Sequence, residues 1–176
     1  MFKGAILALD LASVTGWAYG KPDAVPTFGH KRFVNPGGSR AAAYRTFRLW
    51  LDLFCSSHKT DLIVFESPLA ALLHGTTNIS TLKVLTGLAE HLEEWAYERI
   101  ELREANVAQV RAHFIGGNFK SKIAKAATVE RCRVRGWGVE TSDEADAVAL
   151  WDYQRCCLRP DIGTRTTPLF AKAHDH

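Results

Sequence analysis

The stretch GAILALD at residues 4–10 decides how this chain begins to fold. Its apolar run has no polar alternation, which is typical of a strand buried on both faces of a sheet. Asp10 closes the run, so an acidic side chain stands at the carboxyl end of a buried strand. Two further strands are predicted at residues 15–20 and 27–34, with prolines marking the connection between them. The chain is therefore predicted to open with an antiparallel meander of three strands.

Helices and strands alternate over the rest of the chain. Apolar residues at a helical period predict helices at residues 39–57, 79–98, 107–115, 120–135 and 142–158. Two more strands are predicted between them, at residues 61–66 and 100–107. A strand that follows a crossover helix is expected to run parallel to the first strand. This order predicts an α/β domain with a mixed five-stranded sheet and helices on both faces, the ribonuclease H-like arrangement.

The composition is that of a globular chain with one domain. The chain has 176 residues, of which 47% are hydrophobic, and its net charge of +3 permits a nucleic-acid partner. We expect the domain to span residues 1–158 and the tail at 159–176 to be flexible. No apolar run is long enough to cross a bilayer, and the cysteines show no zinc spacing. Reduced cysteines and the lack of a signal peptide predict a cytoplasmic protein without a membrane partner.

Two carboxylates lie three residues apart in the last predicted helix, within the sequence SDEADAVAL at residues 142–150. Asp143 and Asp146 therefore share one helix face, and Leu150 on that face indicates that it points toward the protein. Two acids side by side repel each other and are costly to ionise when buried. A divalent cation is the usual remedy, so this pair predicts a metal site.

Helix capping is the plainer interpretation of the same acids. Thr141 and Glu144 have the spacing of a capping box, and acids in a first turn complement the helix dipole. Capping explains Glu144 well and Asp143 in part. It does not explain Asp146, which lies a turn further in on the apolar side.

Asp10 and Glu66 each end a predicted buried strand. Either acid alone would be an ordinary strand end, but adjacent parallel strands would bring both to the edge where ligands bind in open α/β sheets. Oxygen ligands suit Mg²⁺, and Mn²⁺ is expected to substitute for it. Four carboxylates fit two ions roughly 4 Å apart, which can activate water and stabilise a leaving oxygen. We predict that Asp10, Glu66, Asp143 and Asp146 are catalytic metal ligands.

Basic residues crowd the predicted helix at 120–135. Lys120, Lys122 and Lys125 are predicted to bind DNA phosphates, and a merely solvated helix face is the alternative. The preceding Gly-rich stretch lacks the Gly directly before Lys120 that a nucleotide phosphate loop requires. No nucleotide cofactor is therefore predicted.

Several stretches resemble motifs of the RuvC-type Holliday junction resolvases of the ribonuclease H-like superfamily. ILALDLASVTGWAYG at residues 6–20 is similar to the family's first acid-ended strand and the Thr-Gly-Trp strand after it. DLIVFES at 61–67 resembles the second acidic motif, and DEADAVAL at 143–150 resembles the last one. Residues 110–122 are similar to the stretch before that last motif. The resemblance runs from about residue 4 to 155, and the length and the middle of the chain look like those of phage-encoded members.

The resemblance implies a Mg²⁺-dependent homodimeric endonuclease that nicks opposing strands of four-way or otherwise branched DNA, in a bacterial cell or a phage-infected host. It implies that the four acids named above are the metal ligands and that Lys120 and Lys122 lie near the scissile phosphate. Family members often probe the junction centre with an aromatic residue in the loop after the second acid. Here that loop, residues 67–77, has no Phe or Tyr, and Leu72 and His74 are its predicted DNA contacts.

Three alternatives stay open to different degrees. A ribonuclease H-like enzyme acting on RNA or an RNA–DNA hybrid uses the same kind of site. A non-catalytic DNA-binding relative would be expected to have lost one or more acids, and all of them are present. A kinase-like protein of the actin and sugar-kinase superfamily would need a second domain and a second phosphate loop, for which 176 residues leave no room.

Overall fold

The computed structural model describes residues 2–68, 79–117 and 119–162. Its sheet contains the strands β1 (Ile6–Asp10), β2 (Val14–Gly20), β3 (Thr27–Arg32), β4 (Leu62–Glu66) and β5 (Glu101–Ala105). The helices are α1 (Arg40–Ser57), α2 (Ile79–Ala96), α3 (Val107–Ile115), α4 (Ser121–Val134) and α5 (Ser142–Leu158). Among these described helices, none combines the length and hydrophobicity needed to cross a membrane.

The strand order across the sheet is β3-β2-β1-β4-β5. The first three strands pair antiparallel, whereas β4 runs parallel to both β1 and β5. The predicted meander and the predicted parallel crossover are both confirmed. The mixed five-stranded α/β sheet is therefore the one that the order of elements predicted.

Alternation along the central strands divides the core in two. Ile6 and Ala8 face one side, where they pack with α3, α4 and α5. Leu7 and Leu9 face the other side and pack with α1 and α2. A strand buried on both faces cannot afford polar residues on either side, which explains the unbroken apolar run at residues 4–9.

The helix ends follow local side-chain chemistry. Ser39 caps α1 by accepting a hydrogen bond from the backbone N–H of Ala42. The capping box of Thr141 and Glu144 is confirmed at the start of α5, with both reciprocal hydrogen bonds present. These caps fix where the two helices begin.

Three predicted boundaries were wrong by a few residues. The helix predicted over 79–98 ends at Ala96, because Glu98 adopts a left-handed φ of 57°. The strand predicted over 100–107 ends at Ala105, because Asn106 caps α3 with its side chain. The strand predicted over 27–34 ends at Arg32. The predicted domain boundary at residue 158 stays a prediction, since residues 163–176 of the tail lie outside the described part of the chain.

Candidate active site

Asp10 and Glu66 lie side by side at the carboxyl edge of the sheet. Leu9 pairs with Phe65 in the parallel register of β1 and β4, and the two acids follow these residues directly. Strand alternation places both acids on the face that carries Ile6 and packs under α5. Two strands that end in the same register thus bring two carboxyl groups to one place.

Gly16 allows α5 to approach this edge closely. It lies opposite Asp10 in the antiparallel register of β1 and β2. A Cβ atom on Gly16 would overlap the backbone carbonyl group of Asp143, so only glycine leaves room for the first turn of α5. A glycine inside a strand is a sequence signal for close backbone approach, so Gly16 is a positioning residue that could have been found from the sequence but was not among the predicted site residues.

The first turns of α5 bring two more carboxylates over the strand ends. Asp143 and Asp146 are partly exposed, at 29% and 24% of their side-chain surface. Lys125 of α4 faces both of them, with its Nζ atom 4.0 Å from Asp143 Oδ1 and 3.9 Å from Asp146 Oδ2. Asp143 and Asp146 therefore interact with a charged residue of the neighbouring helix α4, in addition to any effect on the dipole of α5.

The carboxyl groups influence one another's ionisation. Burial, followed by the charge of Asp146, raises the pKa of Glu66 to about 7. Burial also raises the pKa of Asp146 to about 6, with a further contribution from Asp143. The pKa of Asp10 lies well above its usual range because of burial and then the charges of Glu66, Asp146 and Asp143. Such mutual repulsion means that these acids share one electrostatic site.

Arg111 of α3 is a second cation at the site. Its charge lowers the pKa of both Glu66 and Asp146, against the effect of burial. Arg111 lies within residues 110–122, which resemble a family stretch, but the sequence predicts no role for it. A lone arginine in an amphipathic helix offers no sequence signal of such a role, because only packing decides which way it points.

The donor set fits hard divalent cations. All four candidate ligands are carboxylates, which Mg²⁺ and Mn²⁺ prefer. Their oxygens are not gathered as for one ion, because no three of them lie within 4.8 Å of one another in the described chain. The number and the identity of the ions stay predictions.

Among the described residues, one group of potential ligands does lie within that distance: His113, Asp152 and Cys156. Asp152 already accepts hydrogen bonds from Arg135 and Arg155, at 2.7 and 2.9 Å. Although burial alone would raise the pKa of Asp152, the hydrogen bond from His113 and the two arginines lower it. A buried carboxylate compensated by the buried Arg155 and the partly buried Arg135 is an ion-pair centre, which disfavours a metal ion there.

A small cavity of about 150 Å³ opens beside the strand acids. Asp10 and Glu66 line it together with Leu85 of α2 and Val107 at the start of α3. The site is therefore open toward the surface at the carboxyl edge of the sheet, which is where the strand order predicted it.

The predicted DNA-binding residues fall into two groups. Lys120 directly precedes α4, Lys122 lies in the first turn of α4, and both are exposed. Lys125, one turn on, faces the carboxylates described above. Leu72 and His74 lie outside the described residues, so their predicted contact with DNA stays a prediction.

The fold resembles solved structures of Holliday junction resolvases. A Thermus thermophilus RuvC in complex with a Holliday junction substrate matches with a TM-score of 0.67 and 10% identity, over 90% of this chain and 97% of that one. A second Thermus thermophilus RuvC structure matches with a TM-score of 0.64 and 11% identity, over 89% and 96%. The yeast mitochondrial Holliday junction resolvase Ydc2 matches with a TM-score of 0.57 and 11% identity, over 92% and 84%.

At these identities the likeness establishes the fold. The chain has the RuvC-type, ribonuclease H-like fold that its sequence predicted. No family model matches the chain, and no curated protein does.

Proposed function

We propose that this protein is a metal-dependent, structure-selective endodeoxyribonuclease that resolves Holliday junctions or other branched DNA by paired nicks. The observation that carries the proposal is geometric: Asp10 and Glu66 end adjacent parallel strands, and the first turns of α5 bring Asp143 and Asp146 to the same carboxyl edge of a RuvC-type sheet. Paired nicks need two such sites, so the protein is proposed to act as a homodimer.

Asp10, Glu66, Asp143 and Asp146 are the residues that would hold the cations. When bound, two Mg²⁺ ions would supply Lewis-acid activation of water and charge stabilisation of the leaving oxygen. The chain's own contribution is to fix four anionic groups on three elements, with two from strand ends and two from α5. Arg111 and Lys125 add positive charge at the position where a phosphodiester would approach.

Lys120 and Lys122 are proposed to bind the DNA backbone. Both ammonium groups are exposed at the start of α4, close in sequence to Lys125, which faces the acids. Phosphate contacts of this kind position the duplex without reading its sequence. The choice of branched over linear DNA would then come from the dimer geometry and from the loop at 67–77.

A gel assay tests the proposal. Purified protein is incubated with a synthetic four-way junction, a Y-fork, a linear duplex and an RNA–DNA hybrid, in Mg²⁺ and in chelator. Paired nicks in the junction that need Mg²⁺ are expected. Cleavage confined to the hybrid would overturn the proposal in favour of a ribonuclease H-like enzyme, and junction binding without nicking would favour a non-catalytic relative.

Two variants, one in the carboxylate cluster and one outside it, test whether the nicking activity belongs to the cluster. Asp146→Asn is expected to keep junction binding and to lower the nicking rate roughly a thousand-fold or more, because an amide is a poor ligand for the ions. Asp23→Asn removes the same charge at an exposed position in the connection between β2 and β3, at the opposite edge of the sheet. It is expected to cleave like the wild type. Normal turnover in Asp146→Asn would refute the assignment.

A further inference from the structure

Lys125 occupies an unusual position for a DNA-binding lysine. Its Nζ atom lies between the two helix acids, at 4.0 Å from Asp143 and 3.9 Å from Asp146. Neither distance is that of a hydrogen bond, so charge alone holds the ammonium group there. Because 46% of the side chain is exposed, the group can leave the acids without disturbing the core.

The charge of Lys125 reaches beyond this pair. It opposes the effect of burial on the pKa of Asp10, Glu66 and Asp146, so it favours the ionised form of three carboxyl groups at once. Arg111 acts in the same way on two of them. In the described part of the site, the side chains of Lys125 and Arg111 thus supply positive charge beside the same carboxylates that would bind metal cations.

We propose that Lys125 is an internal counter-ion of the metal-free site, which a divalent cation must displace from Asp143 and Asp146 in order to bind. The inference rests on the proposed function, because it takes the four acids as metal ligands. An ammonium group and a divalent ion beside the same two carboxylates repel each other, so one leaves when the other arrives. Lys125 therefore weakens metal binding at Asp143 and Asp146.

Displacement has a consequence for the predicted contact between Lys125 and DNA. While the ammonium group is paired with the helix acids, it is not available to a phosphate. A cation that takes its place would release it toward solvent, at the rim of the site. Metal binding and the availability of this lysine are thus coupled.

Calorimetric titration of Mg²⁺ into the DNA-free protein tests the inference without any activity measurement. Lys125→Met keeps the aliphatic stem and removes the charge, and it is expected to bind Mg²⁺ roughly ten-fold more tightly than the wild type. Lys125→Arg keeps the charge and is expected to bind like the wild type. Equal affinity of Lys125→Met and wild type, or weaker binding by Lys125→Met, would overturn the inference.

Lys59→Met is the matched control. The Nζ atom of Lys59 also lies 4.0 Å from a carboxylate, that of Asp61, but this pair precedes β4 at the opposite edge of the sheet. Its loss is expected to leave the Mg²⁺ affinity unchanged. A ten-fold gain in Lys59→Met as well would show that the net charge of the protein is responsible, and it would also contradict the inference.

Thermal unfolding gives a second readout. Lys125→Met is expected to have a lower Tm than wild type in chelator and a larger rise in Tm at saturating Mg²⁺. A Tm in chelator equal to that of wild type, with no larger rise in Mg²⁺, would contradict the role of Lys125 as a counter-ion.

Asp146→Asn separates this inference from the proposed function. If wild type and Asp146→Asn bind Mg²⁺ equally, the acids are not the metal site and the proposed function fails. If Asp146→Asn loses binding while Lys125→Met is unchanged, only the inference about Lys125 fails.

Discussion

At the scale of the residue, the site is defined by carboxyl groups that are costly to ionise together. Glu66 and Asp146 have pKa values of about 7 and about 6, raised first by burial. Clusters of carboxyl groups with raised pKa values are typical of functional sites, where a bound cation offsets the repulsion between the ionised groups. Capping alone does not account for Asp146, since the capping box is completed by Glu144, whose side chain is buried and also contacts His30.

The raised pKa of Glu66 predicts how stability depends on pH. Its value rises from 4.5 to about 7 on folding, so the native protein binds more protons than the unfolded chain in this range. The free energy of unfolding of the metal-free protein is therefore expected to fall as the pH rises from about 5 to about 8. Glu66→Gln cannot ionise, and we expect it to reduce this loss by roughly 2 kcal/mol.

Urea unfolding in chelator at pH 5 and pH 8 measures the effect. Glu130→Gln serves as control, because hydrogen bonding to Arg133 lowers the pKa of the exposed Glu130, whose titration thus falls below this range. It is expected to lose stability like the wild type. If Glu66→Gln lost as much unfolding free energy between pH 5 and pH 8 as the wild type, the pKa of Glu66 would not be raised in the folded protein.

At the scale of the element, the position of α5 decides whether the site exists. Gly16 allows the first turn of α5 to lie directly on β2, where a Cβ atom would displace it. Further along α5, the buried Asp152 pairs with Arg135 at the end of α4 and contacts His113 of α3. These contacts join the three helices that carry Arg111, Lys125, Asp143 and Asp146.

Removing the charge of Asp152 is expected to be strongly destabilising. Asp152→Asn would leave the guanidinium groups of Arg135 and Arg155 buried among aromatic rings without their counter-charge. Breaking a buried ion pair in this way costs about 3–5 kcal/mol. Urea denaturation at pH 7 measures the change.

Glu130→Gln is again the matched variant, because it breaks an exposed pair with Arg133. Exposed pairs contribute little, and we expect no measurable change in the free energy of unfolding. If Asp152→Asn proved equally mild, the cluster would not be what joins α3, α4 and α5.

At the scale of the whole molecule, the sheet separates two hydrophobic cores, and the candidate site lies at the carboxyl edge of the sheet. The acids, Arg111 and Lys125 lie at the carboxyl edge, with Lys120 and Lys122 exposed at the start of α4 nearby. Lys3 and Lys59 lie near the amino ends of β1 and β4 at the opposite edge. Location matters more than the modest net charge of +3, because phosphate contacts act over short distances in salt.

Salt dependence of junction binding tests this arrangement. Replacing Lys120 and Lys122 together by Met is expected to reduce the slope of log affinity against log salt by about 2, since each phosphate contact releases close to one counter-ion. The paired variant Lys3→Met/Lys59→Met loses the same charge and is expected to keep the wild-type slope. Fluorescence anisotropy in chelator measures both, and equal slopes for the two double variants would contradict the predicted phosphate contacts.

The sequence by itself determined the elements and their order. Unbroken apolar runs marked β1 and β4, a helical period marked the helices, and the capping box marked the start of α5, because these signals depend on residues close together in the chain. It also indicated that Asp10, Glu66, Asp143 and Asp146 belong to one site, since strand ends and helix faces follow from periodicity. Their role as metal ligands and the resemblance to phage-encoded members stay predictions.

Only the tertiary structure decided what surrounds those acids. Lys125 turned out to face Asp143 and Asp146, Arg111 to lie where its charge acts on Glu66, and Asp152 to pair with two arginines. The direction of a charged side chain on an amphipathic helix depends on which helix packs beside it, and contacts between residues far apart in the chain leave no periodic signal. The role of Gly16 is only partly visible in the sequence. A glycine in a strand signals that another segment approaches closely, but only the structure shows that this segment is the first turn of α5.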